Sequence, residues 1–304
     1  MNLEQIDYQG WKDCLRISNG AVELIATAEI GPRLIYFGVP DQENVFAEIE
    51  GDLGKTGGEK WRVYGGHRLW HAPEDPVRTY QPDNAPIEIQ ESGTSIQFIQ
   101  PVEENTGIQK EIELSLDSNQ PRVELIHRLY NRGEEDVELA PWALSVMAPG
   151  GKAFLPVPLR GSHQKNLLPT SSLAIWAYTD LSDPRLEWGD DFIRIFQDED
   201  QKDPLKIGMN NPGGWMGYLN GEQLFLKYAP YQSAGEYPDR GSNLEIYTDH
   251  RFLELETLGP LTSLSPGQKV EHRENWILMD GIQKFPAEEI KGRKLSEVIE
   301  TLIG

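Results

Sequence analysis

The chain has 304 residues and a mass of 34.4 kDa, long enough to bury a core that needs no covalent staple. Its 28 basic and 49 acidic residues leave a net charge of −21, which excludes nonspecific binding to nucleic acid and disfavours docking on anionic membrane. The lone cysteine, Cys14, excludes an internal disulfide.

The N-terminal run Met1–Gln5 has no basic segment followed by an apolar one, and no stretch approaches the roughly 18 apolar residues of a membrane span. The expectation is a soluble, cytoplasmic protein. Taken in chain order, the pattern is β almost throughout. Residues 21–26 read as a strand, Gly31-Pro32 interrupts, and 33–37 resumes. Period-two alternation follows over 87–90, 95–100, 108–116 and 122–129, and a polar turn at 131–136 leads into 137–140. The second half carries the same alternation, over 193–196, then 215–219 and 223–228 around an Asn220-Gly221 hairpin turn, then 243–247, 252–257 and 269–278. Only the tail, 295–303, has apolar residues at helical spacing. No linker, low-complexity tract or short repeat divides the chain, so residues 1–304 are expected to form one all-β domain, a sandwich or closed β architecture.

The segment Trp61 to Asn84 concentrates unusual chemistry. Gly65-Gly66-His67-Arg68-Leu69-Trp70-His71 is flanked by Glu74, Tyr80 and Asp83 in a Gly/Pro-rich stretch, which reads as a loop. Indole rings suit the apolar C–H faces of a pyranose, and Arg, His, Asp and Asn suit its hydroxyl rim. The alternative is a packed loop with His67 as a satisfied polar group. A zinc pair from His67 and His71 would need a helix, which the glycines and Pro73 oppose; no metal site is expected.

A second concentration lies in Leu253-Glu254-Leu255-Glu256-Thr257. With Leu253 and Leu255 facing a core, Glu254 and Glu256 share the opposite face; Asn243, Glu245 and Tyr247 repeat that parity nearby. On an open surface these groups are simply solvated. Lining a groove, desolvation and mutual repulsion would raise one carboxyl and make a usable general base. Arg33 could reach a cleft or form a surface ion pair, Lys227 reads as a snorkelling side chain, and His127 as structural. Pro149-Gly150-Gly151-Lys152 lacks phosphate-loop spacing, and neither Ser145 nor Ser162 has a nucleophile-elbow context.

The order Asn243-Leu244-Glu245-Ile246-Tyr247, Leu255-Glu256-Thr257, Leu264-Ser265-Pro266-Gly267 and Glu274-Asn275-Trp276 resembles the C-terminal part of galactose mutarotase-like proteins, the aldose 1-epimerases and their relatives. Gly65–Trp70 and the run 141–151 resemble the DUF4380-type branch of that superfamily. The resemblance implies a large antiparallel β-supersandwich with few helices and a sugar groove across one sheet. It implies Glu256 as base, with His67 or His71 to supply the proton and His67 preferred as the acid. Arg33, Arg68, Trp70, His71, Trp142, Asn243, Glu245 and Glu254 become the sugar contacts, a small-molecule carbohydrate the partner, with no cofactor. One departure stands out: where the family carries its mid-chain acid histidine, this chain reads Pro141-Trp142-Ala143-Leu144. A noncatalytic glycan-binding module, and a lyase or hydrolase on a related sandwich, are the alternatives. Side-by-side carboxylates argue against a hydrolase, whose two groups flank the scissile bond.

Overall fold

The computed structural model of the protein describes residues 1–158, 160–285, 289–290 and 293–303. The chain opens with β1 (Asn2–Tyr8), β2 (Trp11–Ser18), β3 (Glu23–Ala26), β4 (Arg33–Gly38) and β5 (Gly66–Ala72). Next come β6 (Glu88–Ser92), β7 (Ser95–Ile99), β8 (Ile108–Leu116), β9 (Arg122–Asn131) and β10 (Val137–Met147). β11 (Lys152–Pro156), β12 (Leu173–Ile175), β13 (Leu186–Trp188) and β14 (Phe192–Phe196) follow. β15 (Leu205–Met209), β16 (Trp215–Asn220), β17 (Gln223–Tyr228) and β18 (Leu244–Thr248) lead to β19 (Leu253–Leu258), β20 (Thr262–Leu264) and β21 (Lys269–Met279). A helix, Leu295–Ile303, ends the described chain and buries Val298 and Leu302 against Phe154, Leu226 and Phe285.

Two large antiparallel sheets face each other. The 11-stranded sheet runs β1-β2-β3-β4-β5-β10-β19-β18-β15-β12, with β20 paired to β10. The 10-stranded sheet runs β13-β14-β11-β16-β17-β21-β9-β8-β7-β6. The alternation read from the sequence supplies the core between them. Ile112 and Leu114 of β8, Val123 and Leu125 of β9, Ile207 of β15 and Leu253 and Leu255 of β19 all point inward. Trp276 sits at the centre, its ring 5.6 Å from Phe37, 5.7 Å from Phe46 and 5.5 Å from Phe225. Burial of each such side chain contributes about 1.5–3 kcal/mol. Among the described residues, no helix is long and apolar enough to cross a membrane.

Two elements differ from the sequence expectation. The run 137–140 is only the start of β10, which continues through Trp142 to Met147. Gly66–Ala72 is a central strand rather than a loop, buried along its whole length. A strand covered on both faces shows no alternation, so its polar residues disguised it. Gly66 adopts φ 70°, and a Cβ there would lie 2.4 Å from the Leu34 carbonyl oxygen. Only glycine allows β5 to start so close to β4.

Candidate functional site

β5, β10, β19, β18 and β15 lie side by side in the larger sheet, and their registers decide what meets on each face. Arg68 pairs with Leu144, Leu144 with Glu256, and Glu256 with Glu245. A second row runs Val146, Glu254, Tyr247 and Lys206. These side chains share the outer face, and loops carrying Trp61, Glu74, Tyr80, Trp176, Tyr178, Arg251 and Phe252 rise around them. The result is a cleft of about 390 Å³ walled by indole, phenol and phenyl rings and floored by charged groups.

The floor is two linked ionic groups. Glu256 is 1% exposed, and its Oε2 accepts from Trp142 Nε1 at 2.7 Å and from Lys206 Nζ at 2.8 Å. Its Oε1 is buried and has no protein hydrogen-bond partner. The Lys206 ammonium also stands 2.8 Å from Glu245 Oε2, and 4.6 Å and 4.7 Å from the ring centres of Trp142 and Trp176. Burial alone would pull the lysine down, but the flanking Glu245 and Glu256 carboxyls lift it well above its ordinary value. Glu245 is pushed far up by burial, with the charges of Glu256 and Asp239 adding and Lys206 opposing.

The second group pairs Arg68 with Glu254 at 3.0 Å. The Arg68 guanidinium lies 4.4 Å from the ring centre of Trp70 and 5.3 Å from that of Trp61. Burial raises Glu254, and the charge of Glu256 adds to the rise while Arg68 counters it. Behind this pair Tyr80 packs edge to face on Trp61 and Trp70, and Trp70 on Trp142 with centroids 5.3 Å apart, while Trp61 is tilted against Trp70.

Several expected site residues lie elsewhere. His67 alternates with Arg68 along β5 and so faces the opposite sheet; it is fully buried between the sheets. The imidazole expected opposite Glu256 is therefore not in the cleft, and no histidine is among the described residues lining it. His71 shares the parity of His67, is also buried, and is pushed down to about 4 by burial and the charge of nearby Lys110. Arg33 is a clamp: it donates to the carbonyls of Val63 at 3.0 Å and Gly65 at 2.6 Å and pairs with Asp83 at 2.6 Å. Asn243 ties its amide to the backbone of Asn211, accepting at 2.6 Å and donating at 2.9 Å. Glu245 lies behind Lys206 rather than on the cleft wall. Arg68, Trp70, Trp142, Glu254 and Glu256 line the cleft together.

The sequence reading missed Lys206, Trp176 and Tyr178. Leu205-Lys206-Ile207 carries the same parity signal as β19, so Lys206 was findable once β15 was placed beside β18. The lysine it did single out, Lys227, is not snorkelling. It is fully buried, 3.0 Å from Glu274, and donates to the carbonyls of Ala143 and Leu255.

Lys227 belongs to a polar cluster between the sheets, behind the cleft floor. His127 Nδ1 contacts the His272 carbonyl at 3.2 Å and so carries a proton; its Nε2 then accepts from His67 Nε2 at 2.7 Å. His67 Nδ1, left unprotonated, accepts from Ser145 Oγ at 2.9 Å, and Ser145 accepts from Lys227 at 3.2 Å. Thr257 donates to Glu274, so His272 Nε2 donates to Thr257 at 2.7 Å. Ligand atoms of His67, His127 and Glu274 lie within 4.8 Å of one another. They suit a hydrogen-bonded core better than a metal, because the imidazoles bond each other directly and Lys227 already supplies the positive charge beside Glu274. Burial holds His67 far below its ordinary value and His127 and His272 near about 3, which keeps all three neutral.

No protein-family profile matches this chain, and no curated protein matches it by sequence. Solved structures do match by shape. The Slr1438 protein of Synechocystis sp. PCC 6803 is 11% identical with a TM-score of 0.56, over 91% of this chain and 99% of its own. A galactose mutarotase-like protein from Lactobacillus casei is 12% identical with a TM-score of 0.55, over 88% and 100%. A galactose mutarotase related enzyme from Lactobacillus acidophilus is 10% identical with a TM-score of 0.53, over 89% and 99%. The chain thus has the galactose mutarotase-like fold, as the short motifs implied.

Proposed function

We propose that the cleft binds a carbohydrate and interconverts its anomers by acid–base ring opening, the aldose 1-epimerase type of reaction. The observation that carries this reading is the asymmetry of Glu256: one oxygen is anchored by Trp142 and Lys206, while the other is held out of water without a partner on an aromatic wall. A sugar lies with its apolar C–H faces against the indoles and offers its anomeric hydroxyl to Glu256 Oε1. Glu256 removes that proton as the ring oxygen gains one. The ring opens, the aldehyde end turns about C1–C2, and closure delivers the other anomer.

With His67 turned away, Glu254 is the proton donor we assign. It lies two residues along the same strand, and burial favours its protonated form. Donor and acceptor on the same side suit this reaction, because the anomeric and ring oxygens share one carbon. Each proton transfer of this kind typically supplies about 10²–10⁴-fold in rate. The Gly65–Trp70 and 141–151 runs support placement in the DUF4380-type branch of the superfamily, with residues 1–304 acting as one domain.

Anomer interconversion followed by polarimetry or NMR on a panel of aldoses tests the reading, with Glu256→Gln as control and sugar binding measured alongside. Wild-type turnover well above that of E256Q is expected; equal rates remove the epimerase. Binding without turnover would establish the second reading, a glycan-binding module. That reading is favoured by one observation: Arg68 and Lys206 already engage both cleft carboxyls. Neither binding nor turnover would overturn both.

A further inference from the structure

The turn after β12 carries two of the rings that wall the cleft, Trp176 and Tyr178. β12 is an edge strand of three residues, pairing Leu173 with Met209, Ala174 with Gly208 and Ile175 with Ile207 of β15. One more step would set Trp176 opposite Lys206. There the chain turns instead, the Thr179 N–H closing on the Trp176 carbonyl at 3.0 Å. The Thr179 hydroxyl then meets Lys206: it donates to the Lys206 carbonyl at 2.6 Å and accepts from the Lys206 N–H at 3.2 Å. A hydroxyl both donates and accepts, so this one side chain engages the two main-chain groups that a further strand residue would engage.

The two sides of this contact are unequally held. Lys206 lies in a strand paired with β18 from Leu205 to Met209, and its ammonium is fixed by Glu245 and Glu256. The turn stands at the sheet edge, so the contact fixes the turn to the strand rather than the strand to the turn. Trp176 is seated along β15. Its ring centre lies 4.7 Å from Lys206 Nζ, and a Cβ added at Gly208 would come within 3.2 Å of its Cη2. Glycine at that position leaves room for the indole. Tyr178 is 46% exposed, with neither a ring partner nor a hydrogen bond among the described residues, which leaves its face to a ligand.

We propose that Thr179 is a positioning residue that holds Trp176 and Tyr178 as the wall on which the sugar's apolar face rests, so that this wall governs affinity while Glu256 governs the chemistry. The role in affinity rests on the reading of the cleft as a sugar site; the placement of the turn does not. The anchors of Glu256, Trp142 Nε1 and Lys206 Nζ, belong to strands that stay paired without Thr179. Loss of the hydroxyl therefore moves the wall and leaves the base.

Thr179→Val keeps the side-chain shape and removes both contacts, Thr179→Ala removes them in a smaller side chain, and Thr179→Ser keeps them. Placement is read without sugar by fluorine NMR of the full-length protein labelled with fluorotryptophan, the Trp176 resonance being the one lost in Trp176→Phe. That resonance should shift or broaden in T179V and T179A and return to its wild-type position in T179S. A resonance that stays in place in T179V or T179A overturns the positioning role. Affinity is read by calorimetric titration with the aldose that the wild type binds best. T179V should weaken binding about tenfold, the scale of a lost aromatic contact, and T179S should restore it. In a W176A/Y178A background the same substitution should change affinity no further, because the rings it acts through are gone. An equal loss in both backgrounds, or no loss in either, overturns the role in affinity. In turnover the loss should fall on KM, with kcat within about twofold of wild type. A wild type that binds no aldose means that the reading of the cleft has failed, and the fluorine spectrum still decides whether Thr179 holds the wall.

Discussion

Trp142 and Glu256 are diagonal neighbours on β10 and β19: Trp142 pairs with Leu258, yet its indole N–H reaches Glu256 Oε2 at 2.7 Å. Diagonal pairs across a sheet are within reach of long aromatic side chains. The bond costs Trp142 little as a wall of the cleft and fixes which Glu256 oxygen is left for a ligand.

Trp142→Phe should keep the aromatic wall and lose this bond. A hydrogen bond to a charged group contributes about 1.5–3 kcal/mol, so a roughly tenfold or greater fall in kcat is expected, with KM nearly unchanged. Steady-state anomerisation kinetics check it; a rise in KM at constant kcat would mean that Trp142 acts only as a platform.

Lys206→Met should leave Glu245 and Glu256 buried without their cation. Removing one member of a buried ion pair typically costs about 3–5 kcal/mol. Glu245, already pushed up by burial, then loses the charge that opposed the rise, so the folded variant keeps a proton the unfolded chain releases, and stability falls as pH rises. Urea unfolding of K206M should therefore show a loss relative to wild type that is larger at about pH 8 than at about pH 5; a pH-independent loss would contradict the ionic account.

The buried histidines set the acid edge of stability. His127 and His272 have folded values near about 3, below the ordinary 6.5, because burial disfavours their charged forms. Their contribution is complete above the unfolded value and is lost as pH falls from there toward the folded value. Each supplies a slope of about 1.4 kcal/mol per pH unit in that window. His127→Gln, which can keep one hydrogen bond, should flatten the stability–pH curve between about pH 6 and 4 by that amount; an unchanged slope would show that His127 is not neutral in the fold.

Trp61→Ala should lower sugar affinity about tenfold, from the lost ring contact, while leaving the unfolding midpoint close to wild type. Trp61 stands on a loop, only partly buried, with its ring 5.4 Å from Trp70 and 5.2 Å from Tyr80. Calorimetric titration with the best ligand found is the measurement.

Much of this architecture is legible from parity. Leu253 and Leu255 do face the core, and Glu254 and Glu256 do share the opposite face. Parity reports a face but not what covers it, so the aromatic loops, and Lys206 arriving from β15, could not be placed without knowing strand order. The Gly65–Trp70 run shows a sharper limit. Its glycines read as loop punctuation because the demand they satisfy, close approach to Leu34, is a tertiary one. Once that run is a strand, its alternation sends Arg68 into the cleft and His67 out of it, and the expected acid is lost by a single step in sequence.

That single step has an evolutionary corollary. Arg68, Leu144 and Glu256 each stand next in the chain to a residue facing the other way: His67, Ser145 and Thr257. Inserting or deleting one residue within β5, β10 or β19 would exchange the two populations on that strand, turning His67, Ser145 or Thr257 outward and, on β19, driving the carboxylates into the sandwich interior. Length variation among natural variants of this protein should therefore be confined to the rim loops, whereas point substitutions remain free to retune the cleft.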